Sequence, residues 1–197
     1  DGLSNLEEYQ NDGDPNLAVI IEVEANDNIE QAQIITAGFN LLFSPDIGDT
    51  TSNTSEVIPH VTILGTGNGS YDYYAITVPT SSSKAIFDID YGADGEGGMD
   101  SYLNLYDADD NLLASNDDYS TNAGQAGSTS GLDSYLEYTF EQAGVYYIQV
   151  GTCCTNPVHQ GATYSLHISV ENMLFDTDGD GLPDEWEEEH ELDKDDG

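Results

Sequence analysis

The stretch DTDGDGLPDEWE, residues 176–187, spaces oxygen-bearing side chains in a pattern suited to holding a hard cation. Numbered from Asp176, acids fall at positions 1 (Asp176), 3 (Asp178), 5 (Asp180) and 9 (Asp184), with Gly181 at 6 and Glu187 at 12. That is the spacing of an EF-hand-type loop. Ca2+ takes about six to eight oxygens at ~2.3–2.6 Å, and alternate side chains of a tight turn can converge on it. Gly181 permits the turn, the Leu182 carbonyl supplies a ligand, and Glu187 closes the shell bidentately from the start of a short helix. A solvated acidic tail is the alternative, and it leaves every one of these matches to coincidence. The N-terminal DGLSNLEE carries the second half of such a loop, with Asp1 at position 5, Leu3 at 7, Asn5 at 9 and Glu8 at 12. Joined end to start, KDDGDGLSNLEE nearly rebuilds a loop, with Lys194 at its first ligand position. Excision from a tandem array explains such ends, and so does truncation at a domain boundary.

The overall charge suits cations and rejects polyanions. The 197 residues include 39 acidic and 2 basic side chains, Lys84 and Lys194. Nucleic acid is excluded as a partner because phosphate contacts need Lys and Arg, and an anionic membrane surface is excluded likewise. Solubility or adaptation to salty water also accounts for acidity. No apolar run reaches the ~18 residues of a membrane-spanning helix; NLAVIIEV is the nearest approach. The chain opens inside a motif, so a mature or excised fragment is expected, and an extracellular location is read from its character.

The elements that position these groups are strands. Between acidic zones at 1–16 and 172–197, residues 17–171 read as all-β. Candidate strands are residues 61–64, 73–78, 85–91, 102–107, 134–140, 145–151 and 163–170. In SYLEYTF, Leu136, Tyr138 and Phe140 alternate with Tyr135, Glu137 and Thr139; TYSLHISV repeats the pattern with Tyr164, Leu166, Ile168 and Val170. Such period-2 alternation between turn signals predicts antiparallel, half-buried strands in a β-sandwich. A helical turn is expected at 28–35, and a mobile, exposed loop at 119–132.

Two resemblances add to this. The flanks, with DTDGDGLPDEWE as the specific part, resemble the thrombospondin type 3-like calcium-binding repeats of secreted bacterial proteins. EVEANDNIEQAQ, YDYYAITV, DSYLNLYDADDNLLASNDD, LDSYLEYTF and AGVYYIQVG occur in the order seen in the bacterial pre-peptidase C-terminal domain family, which residues 20–171 resemble. The resemblance implies a jelly-roll-like sandwich, non-catalytic and carried by secreted proteases and other exported proteins. Some members bind calcium, or fibrous and polysaccharide substrates. It further implies calcium ligation by Glu24, Asn26 and Asp27, with Glu22 a possible addition. Asp100, Asp117, Asp118 and Asp133 sit at strand ends and turns, where they could converge on calcium or serve turn chemistry. Asp107, Asp109 and Asp110 are assigned to a hairpin turn. The CCTNP insertion and the Ser/Gly loop depart from the family pattern.

No catalytic constellation is expected. His60, His159, His167 and His190 share no ligand spacing, and His167 reads as a solvated residue on a polar face. Adjacent Cys153 and Cys154 allow a strained vicinal disulfide, two free thiols or intermolecular bridges. Tyr71, Tyr73, Tyr74, Tyr146 and Tyr147 exceed what one core face needs, so some should lie outside, where tyrosines stack on sugars or anchor proteins. Asn53 and Asn68 fit the N-glycosylation sequon. The expectation is a non-catalytic, Ca2+-stabilised, secreted structural module whose partners are calcium and neighbouring copies. The alternative is an accessory domain of a secreted hydrolase or protease that binds polysaccharide or fibrous protein.

Overall fold

The computed structural model describes residues 19–47, 49, 50, 53, 54, 57–122, 128–174 and 190–193. The terminal loops proposed for calcium, 1–8 and 176–187, lie outside these. Among the described residues the strands are β1 (Val19–Ile21), β2 (Gln33–Ile34), β3 (Asp49–Thr50), β4 (Asn53–Thr54), β5 (His60–Thr66), β6 (Asp72–Val78), β7 (Lys84–Asp90), β8 (Ser101–Tyr106), β9 (Leu112–Asn116), β10 (Tyr135–Thr139), β11 (Gly144–Thr152) and β12 (Thr163–Val170). Two five-stranded sheets, ordered β1-β5-β12-β7-β10 and β2-β6-β11-β8-β9, pack face to face as a β-sandwich. β3 and β4 form a separate two-stranded ribbon. Each long strand predicted from alternation appears within a residue or two of its expected bounds. The expected helical turn shrinks to a single 3-10 turn at Ile29–Gln31, capped by the Asn28 side chain and followed directly by β2.

The sheets are mixed, which corrects the antiparallel expectation. β1 runs parallel to β5 and β2 parallel to β6, while the pairs between long strands are antiparallel. Both parallel partners come from the entry segment, residues 19–34. Their short edge strands pair without any period-2 run long enough to be read from sequence.

Alternation makes the core. Tyr164, Leu166, Ile168 and Val170 of β12 face Tyr74, Ile76 and Val78 of β6 and Leu103 and Leu105 of β8 across one continuous apolar cluster. Full burial of a large apolar side chain contributes about 1.5–3 kcal/mol. The half-exposed Lys84–Glu137 ion pair at 2.7 Å belongs to a class worth ~0–1 kcal/mol. The sandwich is therefore held by its core, against its own charge.

The outer face of the β5–β12–β7 sheet is not solvated. His167 is 3% exposed, 2.8 Å from Thr62 Oγ1 and 3.2 Å from Asp90 Oδ2. This corrects the reading of His167 as a solvated residue. Residues 40–47 fold back over this face: Asn40 bridges to His60, and Tyr91 Oη donates to Asp46 at 2.9 Å. Polar side chains on a strand's second face signal solvent only when nothing covers that face.

Candidate metal centre

The entry segment puts its carboxylates against the end of the sandwich. β1 pairs with β5 through Ile21 and Leu64, and the Glu22 amide continues that ladder by donating to the Leu64 carbonyl at 3.1 Å. The chain then crosses to the other sheet, where the Tyr73 amide donates to the Asn26 carbonyl at 2.9 Å. Residues 22–26 thus bridge the two sheets, and their side chains turn toward Asp72, the first residue of β6.

Carboxylate oxygens of Glu22, Glu24 and Asp72 all lie within 4.8 Å of one another. Asp72 and Asn26 are each 0% exposed. Asn26 Nδ2 donates to Glu22 Oε1 at 2.9 Å, which turns its Oδ1 the other way, and that oxygen has no partner. Asp72 Oδ1 also lacks one. Glu22 Oε2 accepts from the Thr66 amide at 2.7 Å. Asp27 sits alongside, its Oδ1 accepting from Ser70 Oγ at 2.5 Å and Asn68 Nδ2 at 3.3 Å. A buried oxygen without a donor costs about 1–3 kcal/mol, and a cation or a proton among the three carboxylates would relieve their mutual repulsion.

Two tyrosines brace the acids. Tyr164 Oη lies 2.7 Å from Asp72 Oδ2 and 2.7 Å from Tyr74 Oη, which lies 2.9 Å from Glu22 Oε1. Two hydroxyl protons cannot serve three contacts, so one carboxyl retains a proton when no metal is bound. Asp72 is the group to hold it: burial, then the charge of Glu22, pushes its pKa up to about 8. Burial followed by Glu22 also raises Glu24. Tyr164 reaches across β5 because its partner there is Gly65; a Cβ at that position would stand 2.1 Å from the ring. The donor set of carboxylates, one amide oxygen and no nitrogen or sulfur fits a hard divalent ion.

Of the residues proposed from sequence, Glu24 and Asn26 come together here with Glu22, while the Asp27 carboxylate is engaged by Ser70 and Asn68 outside the cluster. Asp72, Tyr74 and Tyr164 were missed. A signal existed: Asp72 is in phase with Tyr74, Ile76 and Val78, so the alternation points an acid into the core.

The second proposed group does not converge as a whole. Asp100 and Asp117 meet, with Cys153 as their third member, and Asp118 lies outside that cluster. Asp133 turns elsewhere: its Oδ1 accepts from the Ala93 amide at 3.0 Å, and burial raises its pKa to about 6. Asp107 serves the hairpin, accepting from the Asn111 and Asp109 amides at 2.9 Å each. Cys153 and Cys154 are free thiols. Tyr74 and Tyr146 are buried, whereas Tyr73 and Tyr147 share the outer face of the β6–β11–β8 sheet with Tyr102 and Tyr106.

No curated protein matches the chain. Among solved structures it is similar to a periplasmic lysozyme inhibitor of g-type lysozyme from Aeromonas hydrophila, at 13% identity and a TM-score of 0.39, covering 58% of this chain and 88% of that one. It is also similar to the pre-peptidase C-terminal domain of collagenase from Bacillus anthracis, at 20% identity and a TM-score of 0.35, covering 56% and 87%. Residues 70–152, which run from just before β6 to the end of β11, match the model of the bacterial pre-peptidase C-terminal domain family.

Proposed function

We propose that this chain is a non-catalytic, calcium-stabilised module of a secreted protein, a unit of a repetitive surface protein, adhesin or extracellular fibre. The observation that carries this is the pair of fully buried, donorless oxygens, Asn26 Oδ1 and Asp72 Oδ1, beside Glu22 and Glu24. Calcium there supplies the missing partner and neutralises acids that otherwise repel. It also ties residues 22–27 to both sheets, which fixes the direction in which the chain enters the sandwich. The terminal segments 1–8 and 176–187 extend the same chemistry, so that calcium rigidifies the connectors and sets the angle between neighbouring copies. The match of residues 70–152 to a pre-peptidase C-terminal domain supports an accessory, non-catalytic role.

Calcium titration of wild type and Asp72→Asn tests the centre. The amide keeps the shape of the side chain and removes its charge. The variant should bind one fewer tight calcium, with at least about tenfold weaker affinity at this site, since metal ligands act as a set. Equal stoichiometry and affinity in the two proteins would remove Asp72 from the site.

A second reading is favoured by the β6–β11–β8 face. Tyr73, Tyr102, Tyr106 and Tyr147 surround Gln149, whose amide accepts from Asn104 Nδ2 at 2.6 Å and donates to Tyr73 Oη. A groove of about 290 Å3, lined by Ile29, Ile34, Thr77, Val145 and Tyr147 among others, runs beside it. Half-buried rings held by a polar network are suited to stacking on sugar rings, as an accessory domain of a secreted hydrolase would require. Tyr147→Ala should lower retention on insoluble polysaccharide several-fold while leaving the melting temperature within a few degrees. Failure of the wild type to be retained at all would end this reading.

A further inference from the structure

We infer that Asp100, Asp117 and Cys153 form a second metal centre, built for a thiophilic divalent ion of the zinc class and not for calcium. The fold brings them together from three strand ends. Ser101 of β8 pairs with Thr152 of β11, and Leu103 of β8 with Asn116 of β9. The residues one step beyond, Asp100, Asp117 and Cys153, therefore emerge at the same corner of the sheet. The Cys153 amide donates to the Asp100 carbonyl at 2.7 Å and holds that corner closed. A carboxylate oxygen from each aspartate and Cys153 Sγ all lie within 4.8 Å of one another.

An independent observation points to a ligand. Asp100 Oδ1 and Asp117 Oδ1 are both closed off from water and have no hydrogen-bond partner. Among the described residues no lysine serves them: Lys84 is engaged by Glu137 at 2.7 Å. A thiolate with two carboxylates suits a borderline-soft ion with about four ligands, whereas calcium takes oxygen alone. Binding exchanges the S–H proton, released to solvent, for a sulfur–metal bond, with no change of oxidation state.

The test uses the whole chain, thiols reduced, in saturating calcium, so that its outcome is independent of the Glu22–Asp72 centre. Co2+ should give a near-ultraviolet thiolate-to-metal charge-transfer band that titrates to one equivalent and is displaced by Zn2+. Cys153→Ser should abolish the band, and Asp117→Asn should weaken Zn2+ binding by at least tenfold with an unchanged far-ultraviolet dichroism spectrum. Absence of the band at saturating Co2+, or a band of full strength in Cys153→Ser, overturns the assignment.

Discussion

Removing calcium with a chelator is expected to lower the melting temperature by ~8–16 °C relative to calcium-saturated protein. An ion present at about a thousand times its dissociation constant and bound only by the native state stabilises by ~4.1 kcal/mol. In a protein of this size each kcal/mol moves the midpoint by ~2–4 °C. The physical source is local. Without metal, Glu22, Glu24 and Asp72 confront one another within 4.8 Å, and two buried oxygens lack a partner. Electrostatic screening by salt cannot replace the ion there, because it acts between exposed charges and much less on buried ones. Asp72→Asn should therefore lose most of the chelator response, while Cys153→Ser should retain it. A wild-type melt indifferent to chelation would sink the calcium reading and leave the acidity as adaptation to salt.

Calcium affinity is expected to rise steeply with pH, by about 50-fold between pH 6 and pH 8 if calcium displaces one proton from Asp72, since the change is tenfold per pH unit below that group's pKa and flattens on reaching it. The sign follows from Asp72. Its folded-state pKa is raised to about 8 from an ordinary 3.8, so the metal-free fold binds more protons than the unfolded chain across that window. The stability this contributes is complete below the unfolded value and is lost as pH rises through the folded one. Calcium requires the carboxylate, so its binding opposes the proton in the same range and strengthens as the calcium-free fold weakens. Calorimetric titration in buffers of different ionisation enthalpy should detect close to one proton released at pH 6 to 7 and none well above pH 8. Asp72→Asn should flatten the dependence. An affinity constant across this range would show that no proton is held at the site.

Both results depend on contacts that join distant parts of the chain, and this is where sequence and structure divide. The strands from residue 60 onward, β9 apart, were legible because burial on one face imposes a period of two, which survives any detail of packing. TYSLHISV predicted its own bounds and its inward residues without error. The crowding of Glu22, Glu24, Asn26 and Asp27 into six residues was legible, and the fold brings the first three of them together beside Asp72. The parallel edge pairs of β1 and β2 were not legible, since two or three residues of edge strand carry no periodicity.

His167 shows the same limit from another side. Its neighbours Ser165 and Ser169 made a polar face, and that face is buried by segments that return from elsewhere in the chain, with Asn40 bridging to His60 and Ser128 bonding Asp88 and Asp90. Asp72 could be seen as an acid in core phase, but its partners at Glu22 and Tyr164 lie far along the chain. Asp133 and Asp100 looked equivalent at strand ends, yet one turned to the Ala93 amide and the other to Cys153. Sequence by itself determined where the long strands run and where acidic side chains crowd, because those follow from residue type and local spacing. Which of the acids meet, and what shields them from water, was decided by strand order and register, and those are properties of pairing between segments that no local pattern encodes.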